Sequence, residues 1–219
     1  MSIVDSLASL DFFKTLNNEQ IKLLSSISVT LSYNKGYILN YEKDPVNKLY
    51  FLQSGLAKSY KIDKHENEIF LYYIYENNMI SEISNIYDDT IIPFSNIELI
   101  EDSKIISIDY KKFKEMFIDK NILCIELANE VIQRSKQMQT LINREFIFDA
   151  VSKVAMMLDT DLQMFNKLKR HDVSLILHIQ PETLSRVLNK LKRNNVINII
   201  HGKVEILDKI YLSSIYQEW

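Results

Sequence analysis

The sequence predicts an α+β protein in three parts: an N-terminal antiparallel β-sandwich or barrel, one long helix, and a C-terminal module of three helices closed by a hairpin. Three observations predict it. Between Val29 and Ile108, short runs rich in Ile, Tyr, Phe and Leu recur at roughly ten-residue spacing, with turn residues between them. From Asp119 to Glu145, a helical pattern runs without Gly or Pro. From Phe148 onward, three further helical patterns precede an alternating pair of short runs. The expected divisions are 1–118, 119–147 and 148–219.

Each element has a local reason. Leu7, Leu10, Phe13 and Leu16 stand at near-helical spacing, and Asn17 or Asn18 caps a second short helix carrying Ile21, Leu24 and Ile27. The expected strands are Val29–Tyr33, Tyr37–Tyr41, Lys48–Gln53, Leu56–Ile62, Ile69–Tyr75, Asn96–Ile100 and Ser103–Ile108. Asn34-Lys35-Gly36, Asp44-Pro45, Ser54-Gly55 and Asn77-Asn78 mark the turns. Tyr110–Phe117 reads as a short amphipathic helix. The next helix, at ~1.5 Å per residue, would be roughly 40 Å long.

That long helix carries two adjacent rows. One holds Cys124, Leu127, Val131, Arg134, Met138, Leu141 and Glu145, and its neighbour holds Ile125, Ala128, Ile132, Ser135, Gln139, Ile142 and Phe146. Two apolar rows need two surfaces, the chain's own sheet and a partner helix. Leu127, Val131, Arg134, Met138 and Leu141 are the expected dimerisation residues of a homodimer; the alternative is a helix packed only within its own monomer.

Composition bounds the function. The chain has 219 residues, 47% hydrophobic and 25% charged, enough to build a core. The one cysteine, Cys124, excludes a disulfide framework, a four-cysteine zinc site and an all-cysteine iron–sulfur cluster. Gly36, Gly55 and Gly202 are too scattered for a glycine-rich phosphate loop. The longest uncharged apolar run, Ile69 to Tyr75, is too short to span a bilayer. Asp5 and Asp11, with no basic start, give no sign of a signal peptide, so a cytoplasmic protein away from membranes is expected. Charge is uneven: residues 1–149 carry −6 and residues 150–219 carry +3. A basic module behind an acidic one suggests polyanion binding, although a solvated helix face gives the same count.

The informative segment runs from Asp172 to Lys192. Two short helices meet near His178-Ile179-Gln180, and Pro181 suits the first position of the second helix. Leu184, Val187, Leu188 and Leu191 form an inward stripe, while Glu182, Ser185, Arg186, Asn189 and Lys190 point away. Arg binds guanine O6 and N7 as a fork, and Glu accepts from the cytosine amino group. Gln180, Glu182, Thr183, Ser185, Arg186, Asn189, Lys190, Lys192 and Arg193 are therefore the candidate contacts to double-stranded DNA, the basic ones on phosphates. Val196–Ile200 and Lys203–Leu207, joined at His201-Gly202, complete a winged helix-turn-helix pattern. No Ser/His/Asp, Cys/His or paired-carboxylate arrangement rises above chance, so no catalysis is expected, and no histidine pairs with another at metal spacing.

From about residue 10 to 210, the chain resembles the Crp/Fnr family of bacterial transcription regulators. Lys35-Gly36-Tyr37-Ile38-Leu39 through Leu49–Gly55 looks like the opening strands of the roll, Ile108–Phe113 like its exit, and Pro181–Arg186 with Leu191-Lys192 like the recognition helix. The resemblance implies an N-terminal cyclic-nucleotide-binding-type β-roll (jelly roll), a long dimerisation helix, a C-terminal winged helix that binds DNA, and RNA polymerase as a partner. Glu182-Thr183-Leu184-Ser185-Arg186 is closer to the Fnr branch, which implies a palindrome of TTGAT-like half-sites.

The effector residues depart from the cyclic-AMP branch. Met79–Ser84 keeps Glu82 with serine for glycine, Ile92-Pro93-Phe94-Ser95 brings no arginine, and Gln137-Met138 stands for Thr-Ser. Cyclic AMP is therefore not expected, because its phosphate would lie unpaired. No N-terminal cysteine cluster exists for an Fe–S sensor. Haem, sensing nitric oxide, is one expectation, since some relatives bind haem and Met79, Met138, Cys124 or His65 is available to it. A pocket of Tyr72, Tyr73, Glu82, Phe94 and Met138 is the candidate effector site; a ligand-free constitutive regulator and a sensor acting through protein contacts remain as alternatives.

Overall fold

The computed structural model describes residues 2–217. Two compact units divide between Gln137 and Met138. In the first, α1 (Ile3–Ala8) and α2 (Asn18–Ser25) begin with reciprocal capping boxes, Ser2 with Asp5 and Asn17 with Gln20. The strands are β1 (Ser28–Tyr33), β2 (Ile38–Asn40), β3 (Lys48–Ser54), β4 (Leu56–Ile62), β5 (Glu68–Tyr75), β6 (Asn96–Leu99) and β7 (Ser103–Asp109). They form two antiparallel sheets, ordered β1-β7-β3 and β2-β6-β4-β5. This is the expected jelly-roll layering.

The period of two along a strand explains the cores. Leu49 and Phe51 of β3, with Ile106 and Ile108 of β7, meet Leu10, Phe13 and Leu24 from the helical segments. Leu52 and Ile105, one residue out of phase, face the second sheet and meet Ala57, Ile74, Ile97 and Leu99. The first sheet is thus covered on both faces, which is why β7 is buried almost throughout, Ser103 and Ser107 included. Gly55, between β3 and β4, has φ +103°, and a Cβ there would lie 2.2 Å from Ser103 Oγ.

The helical part differs from expectation at its start. α3 (Tyr110–Phe113) continues as a π-helical turn over Lys114–Ile118, and α4 (Cys124–Ile142) begins five residues later than the pattern predicts. Asn121 explains the delay: it sits at φ 57°, in the left-handed region that asparagine tolerates, and breaks the helical ladder. α4 ends in a second π-helical turn, Asn143–Ile147.

The second unit contains α5 (Ala150–Thr160), α6 (Leu162–Lys167), α7 (Arg170–Ile176), α8 (Pro181–Arg193), the antiparallel pair β8 (Ile197–Ile200) and β9 (Lys203–Ile206), and α9 (Lys209–Gln217). α6 and α9 are additions to the three helices expected. Leu184, Val187, Leu188 and Leu191 are all buried, in one core with Val154, Phe165, Val173, Val204 and Leu212. No helix among the described residues is long and apolar enough to cross a membrane.

Candidate nucleic-acid interface

α8 presents one buried and one exposed face. Its inward leucines and valine leave Glu182, Ser185, Arg186, Asn189, Lys190, Lys192 and Arg193 exposed, with Gln180 exposed ahead of them and Thr183 half-buried at the edge. Pro181 takes the first helical position, as its fixed φ favours. Arg186 Nη2 donates to Thr183 Oγ1 at 3.1 Å, one turn back, so the guanidinium is partly oriented before any ligand arrives. Capping divides the unit's helices. Asp149 and Asp161 cap α5 and α6 through Ser152 N and Met164 N, whereas α7 and α8 begin at Lys169 and Gln180 with no side-chain cap.

Three struts hold the helix pair and the hairpin. The tight turn before α8 has His178 at φ 49°, and its Nδ1 lies 2.7 Å from Glu145 Oε2. Arg144 Nε donates to the other oxygen of Glu145 at 2.8 Å. Burial alone would raise the Glu145 carboxyl, but these partners hold it below its ordinary value. The buried Lys153 donates to the Leu177 carbonyl at 3.2 Å. At the hairpin, His201 and Gly202 both have positive φ, as a two-residue primed turn requires. Arg170 donates to the Gly202 carbonyl at 2.5 Å and to Phe165 O, with its guanidinium 4.4 Å from the Phe165 ring. This arginine therefore braces the hairpin, although it counts toward the basic patch in the sequence.

Inside the roll, the structure brings Tyr72, Glu82 and the backbone of Phe94 together. The Glu82 carboxylate, 3% exposed, accepts from Tyr72 Oη at 2.6 Å, Ser95 Oγ at 2.8 Å and Phe94 N at 3.0 Å. Ser59 Oγ extends the network to Ser95 at 2.7 Å. Burial pushes the Tyr72 hydroxyl up, so it stays a donor. Arg134 of α4 lies over the Tyr72 ring, 5.2 Å from its centre, and donates to the Met79 carbonyl. The space beside Glu82 amounts to about 10 Å³, room for about one water at most.

Two candidate effector residues do not join this cluster. Alternation along β5 turns Tyr73 to the outer face, against Phe70, and Met138 belongs to the other unit. The dimerisation residues also need correction. Leu127 is 8% exposed, within the roll's core, and Arg134 is turned to Tyr72 and Met79. Val131 is exposed, while Met138 and Leu141 are half-buried. The open face is the neighbouring row, from Ile125, 75% exposed, through Ala128, Ile132, Ser135, Gln139 and Ile142 to Phe146, 84% exposed. Its spacing alternates three and four, the period of a coiled-coil seam. The sequence showed both rows; Arg134 made the first look wet and partner-facing, when its guanidinium is turned to Tyr72 and Met79 of its own unit.

Residues 30–120 match the model of the cyclic nucleotide-binding domain, and residues 154–215 match that of the Crp-like helix-turn-helix domain. Similar solved structures include FixK2 from Bradyrhizobium japonicum, 15% identical over 88% of this chain and 99% of that one, with a TM-score of 0.67. A CooA mutant from Carboxydothermus hydrogenoformans is 17% identical over 98% and 95%, with a TM-score of 0.71. The catabolite activator protein of Thermus thermophilus is 20% identical over 93% and 97%, with a TM-score of 0.51. At such identities the likeness is one of fold. No curated protein matches the chain in sequence.

Proposed function

The chain belongs to the Crp/Fnr family of DNA-binding transcription regulators, and from that premise we propose that it is a homodimer reading a palindrome of TTGAT-like half-sites through α8. The observation that carries this reading is the α8 face, where Glu182, Ser185, Arg186 and Lys190 stand exposed on a helix whose other face is buried. Arg186, pre-oriented by Thr183, reads a guanine edge; Glu182 selects the opposite cytosine or nearby bases; Lys190, Lys192 and Arg193 neutralise phosphates.

The dimer forms along the row from Ile125 to Phe146, which pairs with its equivalent in a second copy. Ile132→Asp should raise the dimer dissociation constant about a hundredfold or more, measured by light scattering, because a carboxylate would lie in the seam. RNA polymerase is the partner of the bound dimer. For the effector, the three internal hydrogen bonds of Glu82 favour a regulator whose roll interior is closed to ligands in this conformation. Haem has less support: Met79 packs in the roll's core and His65 lies in an exposed turn. An absorbance spectrum of purified protein with a Soret band would reverse that ranking. The function itself is tested by gel shifts with a TTGAT palindrome and a scrambled operator of equal length. Equal affinity for both would remove the specific reading.

A further inference from the structure

Tyr72 and Tyr73 are neighbours in sequence on opposite faces of β5, and the outer face opens toward α4. There Tyr73, Tyr75 and Met79 form one wall, and Glu130, Arg134 and Gln137 the other, of a groove of about 150 Å³. It holds at least about five waters' worth of space at ~30 Å³ each, in contrast to the closed interior beside Glu82.

The groove contains a charge pair that is not made. Glu130 and Arg134 stand at i and i+4 with the acid first, the spacing at which such residues pair along a helix. Here Arg134 is turned away: Nη2 goes to the Met79 carbonyl, Nη1 to Gln137 Oε1 at 3.2 Å, and the guanidinium lies over Tyr72. Its Nε is buried without a hydrogen-bond partner. Glu130 is half-buried and makes no hydrogen bond or ion pair among the described residues. Burial pushes its carboxyl up, and Arg134 draws it only part of the way back.

A fixed anion and a fixed cation thus border one small space without touching. A cation alone entering it would satisfy Glu130 but meet Arg134, and an anion alone would do the reverse; each leaves one charge poorly paired. We propose that this groove binds a zwitterionic α-amino acid with a small side chain, its ammonium on Glu130, its carboxylate on Arg134 and its side chain against Tyr73 and Tyr75. Glycine and alanine, of about five and six heavy atoms, match the roughly five water-sized groups that the groove holds at ~30 Å³ each. Binding here does not depend on the reading of α8, because both walls belong to the first unit.

The test is isothermal titration of glycine, L-alanine and L-serine into the full-length protein, with propionate and ethylammonium as controls carrying one charge each. At least one amino acid should bind saturably, with a dissociation constant on the order of 1 mM or tighter, and neither control should bind at about ten times that concentration. Glu130→Gln keeps the shape, removes the charge and should weaken binding about tenfold or more. Glu130→Ala should do the same, and a circular-dichroism melt of each variant shows that the fold is kept. The proposal is overturned if no amino acid binds at about 50 mM, if either control binds as tightly, or if both folded Glu130 variants bind like the parent protein.

Discussion

Two polar clusters in this protein use similar residue types to opposite ends. In the roll, Glu82, Tyr72, Ser95 and Ser59 are folded inward until the carboxylate accepts three hydrogen bonds. On α8, Glu182, Ser185, Arg186, Asn189 and Lys190 stand on a stiff helix exposed to solvent, and Arg186 is tied back only to Thr183. The buried set has spent most of its carboxylate's acceptor capacity on its own neighbours; the exposed set has almost nothing else to bond. Residue type therefore says little about which polar cluster binds a ligand. The degree of internal satisfaction says much more, because a partner gains most from groups that folding has left unpaired.

The contrast can be broken most severely at Glu82. Glu82→Ala leaves the Tyr72 hydroxyl, the Ser95 hydroxyl and the Phe94 N–H without their acceptor. At roughly 1–3 kcal/mol for each buried donor left unmet, unfolding stability should fall by about 3 kcal/mol or more. Operator affinity per folded molecule should stay unchanged; chemical denaturation and gel shifts together check both halves. Arg186→Ala tests the opposite case. Stability should hold within about 0.5 kcal/mol, as for other exposed positions. Specific affinity should drop by roughly 1–3 kcal/mol with weak binding to scrambled DNA largely kept. Equal loss on both operators would reduce Arg186 to a phosphate anchor. A smaller and less selective effect is expected for Lys190→Ala, which should weaken all sequences alike and reduce the salt slope by about one unit.

The smallest expected effect concerns acid. Glu145, partly buried between His178 and Arg144, has its carboxyl held below the ordinary 4.5. A depressed carboxyl contributes stability that is fully present above the unfolded value and lost as pH falls through the folded one. Acid denaturation followed downward from about pH 5 should thus be steeper for the parent protein than for His178→Ala. Identical slopes would show that the contact adds nothing to folding.

Much of this arrangement was legible in the sequence. The strand limits agree to within a residue or two because Gly, Pro or Asn punctuates most of the turns, and Leu184, Val187, Leu188 and Leu191 marked the buried face of α8 unaided. The rest depended on pairings that no local pattern carries. Glu82 stood out alone, but its partners Tyr72 and Ser95 lie ten and thirteen residues away on other segments of the roll. Tyr73 looked equivalent to Tyr72 until β5 set them on opposite faces. Arg134 read as a partner-facing polar residue because its true neighbours, Met79 and Tyr72, are more than fifty residues distant. Asn121, which shortens α4, gives only a weak signal, since asparagine is tolerated inside helices as well.

The uncovered row of α4 has apolar ends, Ile125, Ala128 and Ile132 before it and Ile142 and Phe146 after, with Ser135 and Gln139 in the middle. In a seam between two copies, those two layers place hydroxyl against hydroxyl and amide against amide. A helix shifted by one heptad, or one from a different regulator with leucines at these layers, would set Gln139 against hydrocarbon and leave its amide unmet. The middle of the helix would thus act as a identity check on subunit choice, trading tightness of association for rejection of foreign chains.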